Sequence, residues 1–260
     1  MCKVIALANQ KGGVSKTTST VNLGIGLARK GKKVLLVDCD GQGSLTASLG
    51  FGEPDNMEIT LPTILEKVGK DEAIDRTEGI LEHEEGVSLV PCNIELSAFE
   101  VKMTTMLRRE FILREYINIH KPFFDYILID CQPSLGLITV NALTASDAVI
   151  IPVLCEYLPI KGLEQLIKSI VMVRNYLNPD LFISGILPSM YDKRTKFSRE
   201  IMELLAQTYG GKIHIFEAKI PKSIKVAECS AEGVSIFKHD PKGKAAAAYE
   251  NLTKEVLADE

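Results

Sequence analysis

The chain has 260 residues, 46% of them hydrophobic, and a formal net charge of −4, enough to bury a substantial core in one large α/β domain. No apolar stretch approaches the roughly 20 residues that a membrane span needs, and the one behind Met1 is too short for a secretory signal. The six cysteines, Cys2, Cys39, Cys92, Cys131, Cys155 and Cys229, are scattered without a CxxC pair, which argues for a reduced cytoplasmic setting.

In chain order, short β-branched runs alternate with helical patterns, the signature of βαβ units. Strands are predicted at 3–8, 33–38, 87–90, 125–130, 148–153, 181–187 and 212–216. Helices are predicted at 16–30, 61–68, 95–118, 136–145, 162–178, 198–209 and 243–257, with Asn178-Pro179 and Gly210-Gly211 as stops. Most of the strands are apolar on both faces, as strands covered by helices on both sides should be. The expected architecture is a single α/β domain over 1–260, a doubly wound, mostly parallel sheet with ligands beyond the carboxyl ends of its strands.

Charge is unevenly spread. Residues 53–85 carry eleven acids against three bases, whereas 190–244 carry eleven bases against seven acids. A basic surface can therefore exist on an acidic protein.

The first predicted strand runs into Asn9-Gln10-Lys11-Gly12-Gly13-Val14-Ser15-Lys16-Thr17-Thr18, which opens a helix. A phosphate cradle needs that context: glycines let backbone N–H groups approach the oxygens, and a helix N-terminus favours negative charge. Lys16 is placed to contact the β- and γ-phosphates and the Thr17 hydroxyl to bind Mg²⁺. The strict pattern G-x-x-x-x-G-K-[ST] is not met, because Gln10 and Ser15 stand where it asks for glycine.

The loop instead resembles K-G-G-x-G-K-[ST]-T, the form found in the ParA/MinD family of deviant Walker ATPases. The resemblance implies a P-loop NTPase fold, ATP and Mg²⁺ as cofactors, and a cradle made of Lys11, Gly12, Gly13, Val14, Ser15, Lys16, Thr17 and Thr18. It also implies a homodimer formed with ATP, in which Lys11 crosses the interface to touch the partner's nucleotide. Ser15 departs from the family's glycine. It either adds a hydroxyl contact or crowds the loop, according to its backbone dihedrals.

Two acidic segments extend the resemblance. Val37-Asp38-Cys39-Asp40-Gly41-Gln42-Gly43-Ser44 looks like the family's D-x-D-P-Q-G-N, with Gly41 and Ser44 differing. By that match Asp40 orients the attacking water and Asp38 sits near the outer shell of the metal. The alternative for both is an acidic turn capping the next short helix. Tyr126-Ile127-Leu128-Ile129-Asp130 is an apolar strand ending in an aspartate fit to hold magnesium through water, and Cys131-Gln132-Pro133-Ser134 is close to the family's x-P-P-S, with Gln132 in place of a proline. Further matches run to Asn141–Asp147, Ile151-Pro152-Val153, Glu156-Tyr157, Tyr191–Thr195 and Ile220-Pro221-Lys222. In such proteins the Ile-Pro segment flanks the adenine, which makes Pro221 a base contact by resemblance.

Positive charge concentrates at 193–199 and at 219–225. Cationic side chains on one face neutralise DNA phosphates without reading sequence. The resemblance carries nonspecific double-stranded DNA binding onto Arg194, Lys222 and Lys225, with a solvated basic helix end as the plainer alternative. The last residues, 249–260, carry net negative charge, which an anionic bilayer would repel. DNA is thus the expected matrix, and a MinD-like membrane cycle the alternative. An iron–sulfur reductase of the same loop type would need cysteines at cluster spacing, and these are not recognisable here; a small-molecule ligase would need a substrate pocket that no residue set announces. The expectation is a short-form partitioning ATPase, nucleoid-associated, without an N-terminal helix-turn-helix domain, and activated by a ParB-like centromere-binding partner.

Overall fold

The computed structural model describes residues 1–155 and 160–259. The Glu156-Tyr157 pair of the family resemblance lies outside the described residues.

Side chains alternate across a strand, so an apolar run buried on both faces feeds two cores at once. In β1 (Lys3–Leu7), Val4 and Ala6 join one core and Ile5 and Leu7 the other. The same division holds for Leu35 and Val37 against Val34 and Leu36 in β2 (Val34–Cys39), and for Ile127 and Ile129 against Tyr126 and Leu128 in β5 (Tyr126–Cys131). With β3 (Leu81–Glu82), β4 (Val87–Val90), β6 (Ala148–Leu154) and β7 (Phe182–Ser189) they form one sheet of order β3-β4-β2-β5-β1-β6-β7. Neighbouring strands are parallel except for the β3/β4 pair at one edge.

One face is covered by α3 (Leu61–Gly69), α4 (Glu95–Met103), α5 (Ile112–His120), α6 (Leu137–Ala145), α7 (Ile160–Tyr176) and α8 (Lys196–Tyr209). The other is covered by α1 (Lys16–Ala28), α2 (Ser44–Ser48), α9 (Ile224–Glu232), α10 (Ile236–His239) and α11 (Lys244–Ala258). The expected fold class, a doubly wound mostly parallel sheet with helices on both faces, is the one observed.

Two sequence expectations fail. The helix predicted over 95–118 breaks into α4 and α5. Thr104 and Thr105 turn their hydroxyls back onto the carbonyls of Val101 and Lys102, and Arg108 takes φ 55°. Hydroxyls bonded to preceding carbonyls compete with the helical ladder, and a left-handed residue ends it. Asn141 of α6 then holds the loop through Arg109 O, at 2.7 Å. The strand predicted at 212–216 reduces to an isolated bridge between Ile186 and Ile215. The chain cannot extend it, because the amides of Glu217 and Ala218 donate to the Glu255 carboxylate of α11, at 2.9 and 2.7 Å, rather than to a neighbouring strand.

Candidate nucleotide site

The phosphate loop leaves the carboxyl end of β1 at the middle of the sheet and is pinned from both sides. Asn9, buried, donates its Nδ2 to Pro152 O (2.6 Å) and accepts the Lys11 amide on Oδ1 (3.0 Å). Ser189, at the end of β7, donates its hydroxyl to Val14 O (3.0 Å). Gly12 and Gly13 face open space: a Cβ built on either meets no atom within 4 Å. That clearing at the helix N-terminus is shaped for an anion, since it leaves backbone amides without side chains in front of them.

Ser15 answers the question its substitution raised. It takes φ 69° and ψ 28°, the left-handed region that glycine favours, and its side chain makes no capping bond to α1. Holding a serine there costs about 1 kcal/mol relative to glycine.

Lys16 is 6% exposed, and its Nζ donates to Lys11 O at 3.1 Å, folding the ammonium back over the loop. Burial lowers its pKa, opposed by the pull of Asp130. Lys11 itself is half-buried. Thr17 donates its hydroxyl to Asp130 Oδ2 at 2.6 Å. A threonine hydroxyl joined to a strand-end aspartate is a hard oxygen pair of the kind Mg²⁺ takes, directly and through water. The residues present therefore fit a magnesium nucleotide: the clearing over Gly12 and Gly13 for the phosphates, Lys16 for their charge, and Thr17 with Asp130 for the metal.

Asp38 is bound otherwise. Its Oδ2 accepts the amide and hydroxyl of Thr46, at 2.9 and 2.7 Å, and its Oδ1 accepts the Asp40 amide at 3.2 Å. The capping alternative raised by the sequence thus describes its contacts, with α2 as the helix it holds. Asp40 is half-buried, steadied by the Gln42 amide on Oδ1 (3.0 Å), and lines the same cavity as the loop. That cavity, of about 290 Å³, is bounded by Gly12, Gly13, Ser15, Lys16, Thr17 and Thr18 and closed by Asp40, Ser44, Pro133 and Met190. Met190, held at φ 53°, escaped the sequence reading, and Ser44 entered it only as a departure from the family pattern, with no role in the site. Nothing in the sequence marks Met190 except its place one residue before the Tyr191–Thr195 match.

Pro221 lies outside the residues that line this cavity, paired instead with Tyr191 in an isolated parallel bridge. The bridge joins the two basic segments that the sequence showed separately: the Tyr191 amide donates to Ile220 O at 2.9 Å, and Lys219 stands over the Tyr191 ring. Arg194 is exposed and forks onto Asp192, at 3.0 and 2.8 Å. This pairing holds the Asp192 carboxyl down to about 2. Lys222 and Lys225 are exposed, and Lys225 reaches Asp240 at 3.0 Å. Five of the six thiols are buried as small hydrophobic groups, and Cys2 is half-buried.

Strand, glycine loop, buried lysine and strand-end aspartate define a P-loop nucleotide hydrolase. A family model described as an AAA domain matches residues 2–183. The chain is 39% identical over 259 residues to the sporulation initiation inhibitor protein Soj of Bacillus subtilis (strain 168), covering all of both chains. It is 37% identical over 261 residues to the chromosome partitioning protein ParA of Caulobacter vibrioides (strain NA1000 / CB15N), covering 99% of this chain and 95% of that one. Among solved structures it resembles cobyrinic acid a,c-diamide synthase from Mycobacterium smegmatis with bound ADP and magnesium, at a TM-score of 0.86 and 35% identity, covering 99% of this chain and 94% of that one. The chain belongs to the ParA/MinD family of P-loop ATPases and is a ParA-type ATPase that uses ATP and Mg²⁺.

Proposed function

We propose that the protein is a partitioning ATPase of one domain, switched between free and DNA-bound forms by its nucleotide. The observation that carries this reading is the Tyr191–Pro221 bridge, which joins the chain just before the segment 193–199 to the segment 219–225, one residue beyond the cavity-lining Met190. Both basic segments thus start from one bridge beside the nucleotide site, and a second copy bound across ATP would add its own pair.

In this reading Lys16 and the amides of 12–17 bind the triphosphate, and Thr17 and Asp130 hold the metal. Bound Mg²⁺ supplies charge neutralisation for a transfer that needs little covalent help. Lys11 reaches the nucleotide of the partner copy, Asp40 orients the attacking water, and Pro221 flanks the base. Asp38 acts from the outer shell, through the elements it holds. Arg194, Lys222 and Lys225 meet DNA phosphates, and hydrolysis ends the dimer and frees the DNA. A ParB-like centromere-binding protein is the activator, and the protein is cytoplasmic, gathered on the nucleoid.

A membrane matrix is less well supported. Among the described residues no helix is long and apolar enough to cross a bilayer. The apolar face of α11, with Tyr249, Leu252 and Val256, is already spent on the core beside α1. A synthase activity like that named for the Mycobacterium smegmatis protein is a second reading, favoured by that structural similarity alone. DNA-stimulated ATP hydrolysis separates the two: stimulation by nonspecific duplex supports partitioning, and hydrolysis indifferent to DNA at low salt would exclude it.

A further inference from the structure

Between the nucleotide cavity and helix α9, which follows Lys222 and carries Lys225 in its first turn, stands α2, five residues long. Its first residue, Ser44, lines the cavity. Just past its other end, Gly50 touches Gly233, which closes α9. Both glycines have positive φ, +80° and +68°. A Cβ on Gly50 would stand 3.3 Å from Gly233 Cα, and one on Gly233 only 2.5 Å from Gly50 Cα. The contact is backbone on backbone, with no side chain between to absorb a displacement. From the far side His83 Nε2 lies 3.1 Å from Gly233 O, so the end of α9 is held between two elements.

The upper end of α2 is fixed as tightly. The Thr46 hydroxyl donates to Asp38 and accepts the Cys92 amide at 3.1 Å, using both its capacities in a fully buried position. Leu45 and Leu49 of this turn are packed in the same core as Cys229 of α9. Asp38 is also the register partner of Asp130 on the adjacent strand. Asp38, the group that holds α2, thus lies one strand spacing from the carboxylate that Thr17 joins to the phosphate loop.

We propose that Asp38 and Thr46 are positioning residues that couple occupancy of the nucleotide site to the placement of α9, through α2 and the Gly50–Gly233 contact. The consequence for DNA rests on the partitioning reading: Lys222 precedes α9, Lys225 lies in its first turn, and Gly233 fixes its other end. Coupling of this kind needs two placements of α2 whose free energies the site biases differently. A hydroxyl committed on both sides supplies such a hold, because loosening it leaves a buried amide or carboxylate without its partner.

Hydrogen exchange of the amides at 224–232, on the full chain, tests the relay without DNA. The comparison is between no nucleotide and a saturating non-hydrolysable ATP analogue with Mg²⁺. The analogue is expected to change α9 exchange about tenfold in the unaltered chain, and Thr46→Val and Gly50→Ala to cut that change below about threefold, with Thr46→Ser restoring it. A purely structural role for Thr46 would raise exchange in both conditions and preserve their ratio. An unaltered chain whose α9 ignores the analogue, or a Thr46→Val chain that keeps the full response, overturns the relay. A nucleotide response of α9 in a chain that does not bind duplex DNA supports the relay and overturns only the partitioning reading.

Discussion

Asp38 and Asp130 lie in register on adjacent parallel strands, both wholly buried; burial raises the pKa of each, and the Asp38 charge raises that of Asp130 further. Their contacts divide them. Asp130 is joined to the phosphate loop through Thr17, and Asp38 to α2 through Thr46. Two buried carboxyls at this spacing disfavour double ionisation, and a cation beside one relieves both.

Asp130→Asn removes that opposition and the metal's strand-end oxygen together. Without metal, at pH 8, the variant should be more stable to urea by more than about 1 kcal/mol, because a buried like-charge pair is gone. Its nucleotide affinity should lose most of its dependence on Mg²⁺. Calorimetric titration with ATP, with and without Mg²⁺, checks the second outcome; an unchanged metal dependence would remove Asp130 from the metal site.

Lys16→Ala takes away an ammonium folded over the loop by its bond to Lys11 O. ATP affinity should fall by about a hundredfold or more, in line with loss of a buried, charge-assisted contact worth ~3 kcal/mol. Fluorescent-nucleotide titration reads this directly, and wild-type affinity would contradict the cradle.

Arg194 already spends its guanidinium on Asp192, so its contribution to DNA binding is set against an existing ion pair. Arg194→Ala should lower the slope of log affinity against log salt by about 0.9 per lost phosphate contact. Asp192→Asn, which frees the same side chain, should tighten binding. Filter binding at several salt concentrations decides both, and two variants identical to the parent would exclude this residue.

His120, in α5, gives an acid limb to stability. It is 1% exposed, its Nε2 has no hydrogen-bond partner among the described residues, and burial lowers its pKa from 6.5 to about 4. The unfolded chain takes up a proton in that window which the native ring refuses. Stability from this group is therefore complete above pH 6.5 and lost as pH falls toward 4. His120→Leu should flatten the limb by up to about 3 kcal/mol, read from urea midpoints at pH 7 and pH 4.5. A limb of unchanged slope would assign the acid sensitivity elsewhere.

The sheet was legible because its strands are buried on both faces: a run such as Tyr126-Ile127-Leu128-Ile129 admits few other readings. The loop was legible because its chemistry needs particular residues at fixed spacing. What stayed hidden depends on contacts distant in sequence. The break after α4 is set by Arg108 and by Asn141 reaching across from α6, and neither leaves a mark on local periodicity. Helix α9 escaped notice because Cys229 is the one buried residue among its nine, too little to print an apolar stripe. The contacts of Asp38 stayed hidden for a related reason. A strand-end aspartate looks alike whether it turns to a metal or to Thr46, and only the fold places Thr46 beneath it.

The central claim is that nucleotide, through Lys11 and Lys16, makes one copy bind another and thereby bind DNA. Sedimentation of the protein with ADP, with ATP and Mg²⁺, and with ATP, Mg²⁺ and duplex DNA measures it most directly, with Asp40→Ala included to hold the ATP form. The account predicts a monomer with ADP, a dimer with ATP that Asp40→Ala makes persistent, and cosedimentation with DNA in the third condition alone. A species of one size in all three, or DNA binding equal with ADP and ATP, would contradict it.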